Sequence, residues 1–155
     1  MNQDHLRADE ALATLYADIP LARALGIEIV HRGPTRVELT APFEPNRNGH
    51  GTLFGGSAVS IALIAGWLLV HGWVEAAGTD ADVVIHQLDA RFDVPIDGNA
   101  RATADAPPTR ARERFEKTLD RRGRARVDIP IRVGSVDTST ATELVGRYVA
   151  LRHGS

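Results

Sequence analysis

The chain has 155 residues and a mass of 16.7 kDa, room for one compact domain and too little for two ordinary ones. Apolar residues make up 43% and charged residues 25%, the balance of a globular chain rather than a disordered or fibrous one. A net charge of −2 and a pI near 6.3 give no global positive field to draw nucleic acid, and the absence of cysteine excludes disulfides, thiolate metal sites, iron–sulfur clusters and a cysteine nucleophile.

The N-terminal stretch has acids early and no apolar h-region, so it is not a secretory signal. The expectation is a cytoplasmic protein with a single domain over 1–155, in which 1–19 form an amphipathic helical segment. Ala8, Ala11, Leu12, Leu15, Tyr16 and Ile19 share a face and predict a helix over roughly 5–18. Pro20 opens a second short turn of helix that Gly26 stops. Ile27 and Ile29, then Val37 and Leu39 beyond Gly33-Pro34, alternate with polar residues and predict a hairpin with one buried face.

Pro42 to Gly51 reads as a loop rich in turn formers. From Asn48 to Val74 there is no Asp, Glu, Lys or Arg, long enough to raise a membrane span. The early glycines, Ser57, Ser60 and His71 interrupt it, and strand-like alternation flanks it. A helix from Gly55-Gly56 to about Ala77, apolar all round because protein buries it, is the better account, with no membrane span. Val83 and Ile85 then hold one parity, and Leu88, Ala90, Phe92 and Val94 the other. A β-bulge near His86-Gln87 explains the slip. Ala100, Ala102 and Ala104 mark another strand, residues 108–121 a short charged helix, and Ala125 to Val133 a further alternating strand. Residues 139–151 give a last strand, apolar on both faces. Strands segregated from one long helix predict an α+β fold, an antiparallel sheet wrapped around that helix.

This order, with Asn48-Gly-His-Gly-Thr-Leu-Phe-Gly-Gly-Ser57, resembles the hotdog fold of acyl-CoA thioesterases, and most closely the thioesterase domain that forms the C-terminal half of YiiD-type proteins. The strings that carry the likeness are Ile19 to Ile27, Gly51 to Ser57, Ala65-Gly66-Trp67, Arg91 to Pro95, Gly123 to Arg126 and Gly146 to Val149. They run in order from about residue 18 to 152. The resemblance implies a six-stranded antiparallel sheet, a homodimer or dimer of dimers with sheets joined edge to edge, and active sites at the seam. Its implied substrate is an acyl-CoA or acyl-carrier thioester.

Gly55 and Gly56 stand where the loop enters the long helix. Orphan N–H groups at a helix N-terminus carry partial positive charge and bind oxyanions; glycine lets a carbonyl approach closely. Asn48 keeps the spacing of an Asn that, in related thioesterases, holds the carbonyl or the attacking water; Asn46 competes for that role. Phe54 replaces a His of those relatives. With Ser57 and Ser60 it is a candidate substrate contact. Leu63 occupies the place of their helix carboxylate, so the general base has to come from elsewhere. His86 and Asp89, flanking the inferred bulge, are the leading candidates, and His50 lies in the motif loop. No His/Asp cluster has metal-ligand spacing and no cofactor is implied.

Seven of the seventeen arginines fall between Arg110 and Arg126. They read as a charged surface segment or as a docking patch for phosphates of coenzyme A or for a carrier protein. Three readings follow from these residues: a thioester hydrolase, an acyl-CoA-binding module without hydrolysis, and an acyl hydratase or dehydratase to which only His50 points.

Overall fold

A computed structural model describes residues 3–136 and 140–154. Helix α1 (Gln3–Asp18) and the short α2 (Pro20–Leu25) precede strands β1 (Glu28–Arg32) and β2 (Arg36–Ala41). A single turn of 3-10 helix (Glu44–Asn46) leads to α3 (Gly55–Ala76), and then come β3 (Ala81–Phe92), β4 (Ala100–Asp105), α4 (Thr109–Arg122), β5 (Arg124–Ser135) and β6 (Thr140–Arg152). The six strands form one antiparallel sheet in the order β1-β2-β4-β5-β6-β3. This is the α+β hotdog architecture expected from the sequence. Residue 139, the expected start of the last strand, lies outside the described residues.

Helix α3 joins β2, near one side of the sheet, to β3 at its opposite edge, so it has to cross beneath the strands. It packs against β2, β3, β4, β5 and β6. Its length and apolarity would suffice to cross a membrane, yet 67% of that apolar window is buried inside the protein. The sheet's inner face supplies the cover: Val37, Leu39, Ala102, Ile129, Ile131 and Val133 are all fully buried. Each fully buried Leu, Ile or Val contributes about 1.5–3 kcal/mol relative to exposure, and α3 carries Ile61, Leu68, Leu69, Val70 and Val74. Close approach is made possible by small residues. A side chain on Gly66 or Gly146 would strike the ring of Tyr148, which lies buried between them and donates a 2.7 Å hydrogen bond from its hydroxyl to the Leu63 carbonyl. Burial holds the Tyr148 phenol well above its ordinary pKa, so it stays a neutral donor.

The expected slip in β3 is present as a register shift between Ile85 and Gln87, with His86 the extra residue. It keeps Val83 and Ile85 on the same inner face as Leu88 and Ala90. Gly26, at φ 71°, closes α2, and Gly123, also at φ 71°, closes α4. The charged segment is helical, as expected: Phe115 and Leu119, one turn apart, are its buried stripe, and Phe115 packs edge-on to Trp73 of α3 at 6.0 Å. Because β4 pairs only the C-terminal part of β5, from Ile131 onward, α4 flanks the N-terminal part that β4 leaves unpaired.

The start of β3 and the end of β6 are clasped by His153. Its Nδ1 lies 3.0 Å from Asp80 Oδ1 and its Nε2 2.8 Å from Asp82 Oδ2. The hydrogen bond to Asp82, then that to Asp80, raises its pKa above 6.5. The imidazolium therefore stabilises the clasp fully below that ordinary value, and the contribution fades as pH rises through the raised folded-state value. An NMR titration is expected to show His153 holding its proton to higher pH than a free histidine, and Asp82→Asn to lower that midpoint. A midpoint unmoved by Asp82→Asn contradicts the clasp.

Candidate active site

The loop before α3 is pinned from three sides. The Asn46 Nδ2 donates to the carbonyls of Leu25 and Pro42, each at 2.8 Å, and its own carbonyl accepts the Phe54 N–H at 2.8 Å. Leu53 N–H donates to Ile96 O at 2.7 Å, and Asn99 Oδ1 accepts the Phe43 N–H at 2.9 Å. Together these contacts fix Phe54, which occupies the cap position of α3 with extended backbone (φ −63°, ψ 131°) and no side-chain cap.

Ala58 is the first residue of α3 whose N–H finds a carbonyl, that of Phe54 at 3.1 Å. Among the described residues no backbone carbonyl accepts the N–H groups of Gly55, Gly56 or Ser57. Glycine at the first two positions keeps side chains away from these donors, and exposure differs along the turn: Gly56 is exposed, Gly55 half-buried, Ser57 buried. Two phenyl rings flank them, each 56% exposed. Phe54 lies over Gly56, and the Phe92 ring comes within 3.5 Å of where a Cβ on Gly55 would stand. The result is a positive helix end in an apolar frame, suited to a polarised carbonyl that carries an apolar chain.

From this tip a half-buried stripe runs along α3 through Val59, Ser60, Leu63, Trp67 and His71. Ser60 Oγ is occupied by its own helix, donating to Gly56 O at 2.8 Å. The Trp67 indole donates to Val83 O at 2.9 Å and stacks on His71 with ring centres 4.5 Å apart. Beside the stripe lies β3, whose outer edge pairs with no described strand.

Of the candidates read from the sequence, Phe54, Gly55, Gly56, Ser57 and Ser60 come together at this tip. Asn48 lies nearby, but its amide serves the loop. Its Oδ1 accepts the N–H of His50 at 2.8 Å and of Thr52 at 3.1 Å, and its Nδ2 donates to Thr52 Oγ1 at 2.8 Å. Asn46 is the buried amide, 2% exposed, and its Oδ1 has no partner among the described residues.

His86 and Asp89 are not at the tip. The bulge turns His86 onto the outer face, where it borders a cavity of about 500 Å³ with Arg122, Arg124, Arg126, Val149 and Leu151. Asp89 alternates with Leu88 and Ala90, which pack on the core, and so faces outward, 3.2 Å from Gln87 Nε2. Sequence reasoning took the bulge as a device aimed at the site; its effect is to preserve the inner register. It also passed over Phe92 as a site residue, although the slip it inferred assigns Phe92 to the inner face.

Residues 9–152 match the sequence profile of a family described as "Putative thioesterase (yiiD_Cterm)". The fold is similar to that of a protein of unknown function from Chlorobaculum tepidum (TM-score 0.86, 25% identity, covering 93% of this chain and 94% of that one). It is similar as well to a thioesterase, described as putative, from Shewanella oneidensis (TM-score 0.81, 23% identity, 96% and 99% covered). A third similar structure is a thioesterase from Haemophilus influenzae (TM-score 0.67, 19% identity, 94% and 92% covered).

The two asparagines make a test. Asn46→Ala strips buried carbonyls of their donors and is expected to cost about 1–3 kcal/mol of stability, whereas Asn48→Ala, in a more exposed turn, is expected to cost about 1 kcal/mol or less. Denaturant unfolding measures both, and equal losses would contradict the assigned roles.

Proposed function

Because this chain belongs to the YiiD C-terminal thioesterase family, we propose that it hydrolyses an acyl-CoA or acyl-carrier thioester to the free acid and thiol. The observation that carries this reading is the trio of N–H groups at Gly55, Gly56 and Ser57 that no backbone carbonyl accepts among the described residues, beside two phenyl rings, with Gly56 exposed. Water adds to the thioester carbonyl, the oxygen gains negative charge, and the helix tip stabilises it. One such donor is worth about 3–4 kcal/mol. Collapse of the tetrahedral intermediate expels the thiolate, which takes up a proton. The acyl chain lies along Val59, Leu63 and Trp67. Asn48 acts by shaping the loop. Glu44 of the loop that enters the tip is paired with Arg47, and His50, whose backbone N–H is held by Asn48 Oδ1, is assigned the base.

The tip and the α3 stripe form a half-open groove, and the unpaired edge of β3 beside them exposes Val84, Ile85 and Phe92. A second copy joined along β3 covers both, which an exposed twelve-residue edge calls for on physical grounds. The active unit is a homodimer. Ile85→Lys, at the middle of that edge, is expected to shift sedimentation from dimer to monomer; an unchanged dimer contradicts this seam.

A second reading, thioester binding without hydrolysis, draws on Leu63, which stands where related enzymes have a carboxylate, and on the outward direction of His86 and Asp89. Thiol release from acyl-CoAs of graded chain length separates the two. Turnover is expected, and to fall in Gly55→Ala, whose methyl meets Phe92 at ordinary contact distance and crowds the approach of a carbonyl to the N–H groups. The His50→Gln variant is expected to lose most of its turnover at a fixed pH, while His86→Gln keeps it. No turnover with any chain length, on a folded dimer that binds the ligand, selects the binding reading.

A further inference from the structure

The arginines between Arg110 and Arg126 remain without a role in the chemistry at the helix tip. Elsewhere on the sheet, cations are matched. Arg36 and Arg132 share Asp105 at 2.9 and 2.7 Å, Arg101 meets Glu38 at 3.0 Å, and Arg147 meets Asp128 at 2.7 Å. At Asp105, burial opposes ionisation, and the hydrogen bonds from Arg36 and Arg132 outweigh it, so its pKa is lowered. On α4 and the start of β5 the pattern breaks. Arg112 alone is paired there, with Glu116 at 2.8 Å, and covers Trp73. Arg110, Arg114, Lys117, Arg121, Arg122, Arg124 and Arg126 form no ion pair among the described residues, and all seven are exposed. The nearby carboxylates are already engaged: Asp120 by Arg152 and Asp128 by Arg147. Glu113 alone is left among them.

Three shallow depressions, of about 420, 500 and 510 Å³, meet at Thr118 and are bordered by these cations. From Arg110 to Arg122 the helix rises about 18 Å, and the outer positions Arg124 and Arg126 widen the patch where β5 packs beside α4. That length exceeds what the clustered phosphates of one nucleotide span. No exposed Phe, Tyr or Trp borders it: Phe115 is 2% exposed beneath the helix, so bases have no ring to stack on. Leu151, 41% exposed, and its neighbour Val149 add an apolar margin. Arginines around apolar side chains are the composition of a protein interface.

We propose that this face docks the acidic helix of a carrier protein that delivers the thioester. The inference rests on the thioester reading above and selects a protein-borne substrate over free acyl-CoA. Antiparallel pairing of two β3 edges sets the Ala81 end of one strand beside the Phe92 end of the other. One protomer's arginine face then flanks the other's helix tip, and a flexible prosthetic arm bridges the remaining gap.

The test is binding of an apo acyl carrier protein to the dimer by biolayer interferometry, which needs no turnover. Binding is expected in 50 mM salt and to weaken about tenfold or more in 300 mM. The triple variant Arg121→Glu, Arg122→Glu, Arg124→Glu is expected to lose at least about tenfold while its melting temperature and its hydrolysis of acyl-CoA hold. Should the triple variant fail to fold, Arg114→Gln with Arg121→Gln removes charge from exposed positions and is read the same way. Undiminished binding by the folded variant, no binding by the native protein, or charge-dependent binding of coenzyme A or single-stranded RNA in place of the carrier each overturns the proposal. Hydrolysis of acyl-CoA without carrier binding sinks the docking alone; carrier binding without hydrolysis of any thioester sinks the enzyme and leaves the docking.

Discussion

The structure turns on one requirement: a 22-residue apolar helix needs cover along its body, while its first turn cannot satisfy its own N–H groups. The sheet meets the first need by wrapping α3. The second is left unmet at the surface. Nothing caps the helix from Phe54, and two glycines withhold the side chains that would shade Gly55, Gly56 and Ser57. The burial that holds the fold together and the free donors at its tip thus have one source. Burying the shaft forces the direction of the axis, and the axis delivers its positive end between Phe54 and Phe92.

The supports of that tip are distant in sequence and close in space. Asn46 ties the loop to the end of α2 at Leu25, and Ile96 holds Leu53 from the β3–β4 connection. The bulge at His86 belongs to the same support. Without the extra residue, Phe92 would face outward, Asp89 would take the inner face, and the apolar frame around Gly55 would lose one wall. The bulge acts on the site through register, several residues away.

Most of the fold was legible because burial writes a period into the chain. The alternation in β5, the charge-free run of α3 and the parity slip in β3 each follow from which face meets the core, and the structure carries all three. Helix α4 was the harder segment, since its apolar signal is only Phe115 and Leu119 one turn apart. The site was half legible. A glycine pair at a loop-to-helix junction announces free N–H groups by covalent geometry alone, so Phe54 to Ser57 could be read. The asparagines could not be told apart: both are turn formers in one loop, and only burial separates Asn46, at 2% exposure, from Asn48. His86 and Asp89 were candidates because they flank the bulge, and both lie on the outer side of β3, away from the helix tip.

The central claim, that the first turn of α3 receives the thioester oxygen, is tested most directly by the backbone amides themselves. In ¹⁵N-labelled protein titrated with a ketone analogue of acyl-CoA that cannot be hydrolysed, the amide protons of Gly55 and Gly56 are predicted to move downfield together and to saturate with the ligand. Saturable binding that leaves both resonances in place would contradict the account.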